Sequence, residues 1–141
     1  MKPEEQAVSF EIARALQEAG WPQDPGHNYF YWRAVNFEES AWRLVSPHMV
    51  LDRAYRPKIA APTAAELGEA LPEEIHLRFK NQKPRRYAHY LVIRRCSAAS
   101  AWDVKYVSSS SYEDLTERAG TEADARAKMW LLLRGRNLLP V

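Results

Sequence analysis

A chain of 141 residues can bury one sizeable core unaided by metal, and its lone cysteine, Cys96, excludes an intrachain disulfide. An apolar content of 46%, with five Trp, seven Tyr and four Phe, excludes a disordered chain. The net charge of +2 conceals a polarity: residues 1–74 hold 7 basic and 12 acidic side chains, residues 75–141 hold 13 and 6, so the second half suits an anionic partner or simply an ordinary basic surface.

Pro3 to Ala19 predicts the first helix. Pro3 suits a first turn, Glu4 and Glu5 favour the positive end of the dipole, and Val8, Ile12, Ala15, Leu16 and Ala19 form an apolar stripe. Gly20 followed by Trp21 and Pro22 is a stop signal. Asn28–Val35 is too aromatic for a loop and predicts a strand. Ala41–Val45 predicts another, with Phe37–Ser40 as the turn, either extending the main sheet or forming a separate hairpin. Ser46–Ala61, with Pro47 and Pro57, predicts only short extended pieces. Thr63 and Glu66 form a capping box for a helix of about two turns that Pro72 ends.

Ile75–Ser108 predicts three antiparallel strands. Ile75, Leu77 and Phe79 alternate with His76, Arg78 and Lys80. Turn residues Asn81–Pro84 follow, and Arg85–Cys96 is rich in aromatic and β-branched residues. A turn at Ser97–Ser100 sets Cys96 opposite Ala101, Ile93 opposite Val104, Leu91 opposite Tyr106 and Arg94 opposite Asp103. Slipping by one residue would oppose apolar to polar throughout. The same faces carried to the first strand align Ile75, Leu77 and Phe79 with Leu91, His89 and Tyr87. Tyr112–Gly120 predicts a helical turn. Thr121 and Asp124 then cap a last helix, Glu122 to about Arg136, that Gly135 and Asn137 allow to stop.

The expected fold is thus a single α+β domain over 1–141. It has an antiparallel sheet of three to five strands, the N-terminal and C-terminal helices on one face, and one short helix before the central hairpins. AAPTAAELGEALP (Ala60–Pro72), the hairpin region after it and EADARAKMWLLLRGRNLL (Glu122–Leu139) resemble a pattern in small phage and prophage proteins of unknown function. The opening EEQAVSFEIARALQEAGWPQ followed by NYFYW is similar to theirs too, while Glu38–Ile59 has no counterpart. The resemblance implies an origin and an α+β fold, and supplies no catalytic residue or ligand.

No chemistry is legible. His27, His48, His76 and His89 are scattered without metal-ligand spacing, the five glycines are isolated, and Cys96 after Arg94-Arg95 has no partner His in motif context. The chain is therefore expected to be no enzyme and to need no cofactor or metal. With no secretory leader and no apolar run that could span a bilayer, a soluble cytoplasmic protein without membrane contact is expected. The most function-like feature is the polar face of the central sheet, where Arg78, Lys80, Arg86, Arg94 and Lys105 surround Tyr90. Such a face either tracks the phosphates of DNA or RNA, with Tyr90 stacking a base, or is solvated basic surface that protects a strand. Trp130, Leu132 and Leu133 make the last helix apolar beyond one stripe, so it is either sandwiched in the core or joins a partner chain. A non-enzymatic phage-type accessory protein that binds another protein is the favoured reading, nucleic-acid binding the alternative and an unrecognised enzyme the third. A homo-oligomer is compatible with it.

Overall fold

The structure is a computed structural model and describes residues 2–24, 27–35, 41–45, 58–77, 87–108 and 114–140. The order of elements is α1 (Pro3–Gln6), α2 (Phe10–Glu18), β1 (Phe30–Ala34), β2 (Trp42–Val45), β3 (Lys58–Ala61), α3 (Ala64–Ala70), β4 (Glu74–Leu77), β5 (Tyr87–Cys96), β6 (Ala101–Val107), β7 (Leu115–Ala119) and α4 (Glu122–Gly135). A short 3-10 turn at Ser97–Ala99 joins β5 to β6. The fold is α+β with antiparallel sheets. The strands divide into a three-stranded sheet, β2-β1-β3, and a four-stranded sheet, β4-β5-β6-β7.

The first helix breaks in two. The Val8 N–H donates to Pro62 O at 3.1 Å and Ala7 bridges to Thr63, so three residues leave the helical path to join the segment ahead of α3. The Ser9 N–H then donates to Asp124 Oδ1 at 2.8 Å, pinning the start of α2 to α4. These partners lie far along the chain, and local periodicity does not register them. The end of α2 follows the local signals. Gly20 at φ 98° leaves the helix, its N–H donates to Gln17 O, and the Trp21 N–H donates to Leu16 O, a Schellman closure. α4 closes the same way: Asn137 is at φ 56°, its N–H donates to Arg134 O and the Leu138 N–H to Leu133 O. Thr63 and Glu66 form their reciprocal box on α3. On α4 the Thr121 hydroxyl accepts from the Asp124 N–H, while the Asp124 carboxylate serves Ser9 instead of closing a box.

The central hairpin has the register expected from parity: Cys96↔Ala101, Ile93↔Val104, Leu91↔Tyr106 and Arg94↔Asp103. The β4–β5 register differs by two residues, with Ile75 opposite His89 and Leu77 opposite Tyr87. An even offset keeps every side chain on its face, so the hydrophobic pattern cannot select between the two alignments. Phe79 and the connection over 78–86 lie outside the described residues, as do the Phe37–Ser40 turn and 46–57. β3 is one of the short extended pieces expected within Ser46–Ala61. One strand was missed: β7 replaces the helical turn expected over Tyr112–Gly120. Its Leu115, Glu117 and Ala119 share the face of Tyr106, Val104 and Trp102, and Arg118 meets Asp103 across the ladder.

α4 organises the packing and touches β6, β7, α3, α2 and α1. Its buried residues are Ala123, Ala125, Ala127, Met129, Trp130 and Leu133, more than a single stripe. The N-terminal helix packs on β3 and α4. One hydrophobic cluster joins Leu16 of α2, Tyr31 of β1, Leu67 of α3, Tyr106 of β6 and Met129 of α4. Among the described residues, buried side-chain polar atoms other than Arg126 Nε are matched. Tyr106 Oη donates to Pro72 O at 2.6 Å, Trp21 Nε1 to Asn28 Oδ1 at 2.8 Å and Trp32 Nε1 to Val8 O at 3.0 Å.

Two glycines make opposite predictions. Gly20→Ala places a Cβ in the left-handed region and is expected to lower unfolding stability by about 1–2 kcal/mol. A Cβ at Gly135, inside α4, meets nothing within 4 Å, and Gly135→Ala is expected to raise stability by about 0.5–1 kcal/mol. Urea unfolding of the two variants measures both, and a stabilising Gly20→Ala contradicts the Schellman closure.

Candidate functional site

Alternation along β5 and β6 gives the four-stranded sheet two unlike faces. Ile75, Leu77, His89, Val104, Tyr106 and Leu115 point inward and are buried. The outer face is built in cross-strand rows: Glu74, Tyr90 and Val107; then Val92, Lys105 and Thr116; then Arg94, Asp103 and Arg118. No described element covers its middle, where Tyr90 is 54% and Val92 42% exposed. Among the described residues these are two of the few large apolar side chains left open to water, and they sit two residues apart on one strand.

Asp103 anchors the charged row. It is buried, roofed by guanidinium groups from both neighbouring strands. Arg118 Nε donates to Oδ1 at 2.6 Å and Arg118 Nη2 to Oδ2 at 3.0 Å, a two-point pairing, while Arg94 Nη2 stands 3.7 Å from Oδ2. The Arg118 hydrogen bond, with the positive charges of Arg118, Lys105 and Arg94 behind it, holds the Asp103 carboxyl below the ordinary carboxylate range. Arg118 is raised in return, chiefly by the same hydrogen bond. At the β4 edge, His76 Nε2 lies 3.3 Å from Glu74 Oε1.

Of the residues expected on this face, Tyr90, Arg94 and Lys105 are brought together; Arg78, Lys80 and Arg86 lie outside the described residues. The sequence reading missed Arg118 and Glu74, the first because β7 was not seen. The signal there is weak: Leu115 and Ala119 fit a period of two, and Glu117 between them breaks it. The residues read as a partner-helix surface lie as follows. Trp130 and Leu133 are buried in the chain's own core, Trp130 edge-on to Trp21 at 5.3 Å between ring centroids, and half-buried Leu132 packs against the same cluster.

Among the described residues no three His, Cys, Asp or Glu side chains gather as a metal site requires, and no helix is long and apolar enough to cross a membrane. His89 is buried on the inner face, His76 is exposed, and half-buried Cys96 ends the outer rows. Comparison with protein families, with characterised proteins and with solved structures finds no match to this chain. The phage-type resemblance rests on its quoted residues alone.

Asp103→Asn is expected to destabilise the fold in a pH-dependent way. The folded-state carboxyl titrates below its unfolded value, so its contribution is complete above the unfolded pKa of about 4 and is lost as pH falls through the depressed folded value. Thermal unfolding from pH 7 down to pH 2 should show the native chain ahead of Asp103→Asn at neutral pH and the gap closing in acid. A gap independent of pH contradicts the ionic role.

Proposed function

We propose that the chain is a non-enzymatic binding protein, of the accessory type that its phage-like sequence pattern suggests, whose outer sheet face docks another protein. The observation that carries this reading is the exposure of Tyr90 and Val92 side by side at the centre of a face that no described element covers. Aromatic side chains ringed by arginines are the composition from which interface anchors are drawn. The partner is a protein surface with an apolar centre to meet Tyr90 and Val92 and acidic groups to meet Lys105 and Arg94.

The charge of the described rows favours this reading over nucleic acid. The described outer rows hold Arg94, Lys105 and Arg118 against Glu74 and Asp103, a formal excess of one positive charge. A phosphate approaching Arg94 or Arg118 competes with the Asp103 carboxylate that both already face. Polyanion binding draws its affinity from several released counterions, and one excess charge supports little of that.

The test is a photoreactive benzoylphenylalanine at position 90 in cells that make the protein. The expected result is one dominant adduct, insensitive to nuclease, whose partner, identified by mass spectrometry and purified, binds at least about tenfold more weakly to Val92→Asp. A nuclease-sensitive adduct transfers the face to nucleic acid, an adduct of twice the chain mass assigns it to a second copy, and no adduct overturns the reading.

A further inference from the structure

The inner face of the four-stranded sheet is not sealed along its whole length. Past the row of Ile93 and Val104, at the β5–β6 turn, Arg95 and Trp102 stand opposite each other on the ladder. Arg95 is exposed and Trp102 half-buried. Here a cleft of about 890 Å³ opens between the sheet, the start of β1 and the first turns of α3 and α4. Its wall includes Tyr29, which is 55% exposed, and the carboxylates of Glu5, Glu66 and Glu122. The volume matches the clefts that hold small organic molecules.

Each carboxylate in the wall already has an internal task. Glu5 Oε2 accepts from the Lys2 N–H at 3.3 Å. Glu66 Oε1 accepts from the Thr63 N–H at 3.0 Å, Thr63 Oγ1 at 2.9 Å and the Tyr29 N–H at 3.4 Å. Glu122 Oε1 accepts from Arg126 Nη2 at 2.9 Å. Arg95 is different: its guanidinium makes no hydrogen bond or ion pair with any described residue. A guanidinium carries five donors in a planar fork, and this one stands beside an indole at the side of a cleft.

We propose that the cleft binds a small ligand carrying a single carboxylate on a flat apolar body. Its carboxylate takes the fork of Arg95 and its ring lies along Trp102, with Tyr29 at the mouth. The wall disfavours multiply charged anions. Three glutamates and one arginine give it a formal charge of −2, which repels a phosphate dianion more than a carboxylate. An ammonium ligand would meet Arg95 as a like charge. This site lies on the opposite side of the sheet from Tyr90 and Val92 and does not depend on the protein-docking reading.

The experiment uses the full chain with indole-3-acetate as probe, tryptamine as the same ring bearing an ammonium, and inorganic phosphate. Binding is read by calorimetry and by the indole N–H resonances of the five tryptophans, the Trp102 signal being assigned with Trp102→Phe. Indole-3-acetate is expected to move the Trp102 resonance foremost and to bind at least about tenfold more tightly than tryptamine or phosphate. Arg95→Gln, at an exposed position, should leave thermal unfolding unchanged and weaken indole-3-acetate at least about tenfold, while Arg136→Gln should leave its affinity intact. The proposal is overturned if indole-3-acetate leaves the Trp102 signal unmoved at about 10 mM, a concentration that populates even weak millimolar binding. It is equally overturned if Arg95→Gln binds indole-3-acetate as the native chain does, or if tryptamine matches it.

Discussion

The structure depends on the burial of α4 on more than one side. Ala123, Ala125 and Ala127 are all fully buried, and spacings of two and four residues carry their side chains well beyond a single stripe. Methyl side chains let β6 and β7 approach from one direction and α3 from another. On α3, Gly68 faces Arg126 of α4, and an added Cβ there would overlap Arg126 Nη1. The other elements are then tied to this helix by single polar bonds with long sequence separations. Asp124 holds Ser9 at the start of α2, and Arg134 Nε donates to Ala19 O at its end, at 3.1 Å. Trp130 meets Trp21 after it. The three-stranded sheet joins the same core through Tyr31 and Ile59.

This arrangement gives the four-stranded sheet its functional asymmetry. A helix laid along β6 and β7 removes the inner face from water and leaves the outer one open. The outer face then needs its own device to hold a basic surface together. Two arginines from flanking strands across one aspartate supply it, since like charges in one row repel unless a carboxylate stands between them. With that charge committed inward, the apolar side chains Tyr90 and Val92 are the part of the face left for a partner. At the far end of the sheet the helical layer stops short, and the Arg95–Trp102 pair passes from core wall to cleft wall.

What was legible in the sequence is what short-range patterns encode. Period-two alternation gave the β5–β6 register and placed Tyr90, Arg94 and Lys105 on one face, and the caps and glycines gave the ends of α2, α3 and α4. What escaped it was set by long-range partners. The break after Gln6 exists because Pro62 and Thr63 bind Ala7 and Val8, and Leu115–Ala119 is a strand because β6 offers it an edge with Asp103 opposite Arg118. The β4–β5 alignment escaped for another reason: an even slip preserves both faces. The candidate site was half visible for the same cause, since Arg94 could be paired with Asp103 on paper while the stronger partner, Arg118, sat in an unrecognised strand. The apolar excess of α4 admitted two fates, and burial of Trp130 and Leu133 chose the core.

A helix that ties both sheets into one cluster implies that they unfold together, and native-state hydrogen exchange in graded denaturant tests this most directly. The amides of Tyr31 in β1, Val104 in β6 and Met129 in α4 should share one opening free energy and one denaturant dependence. A lower-energy opening that frees Tyr31 while Val104 and Met129 stay protected would contradict it, and would make the three-stranded sheet a separate unit resting on α4.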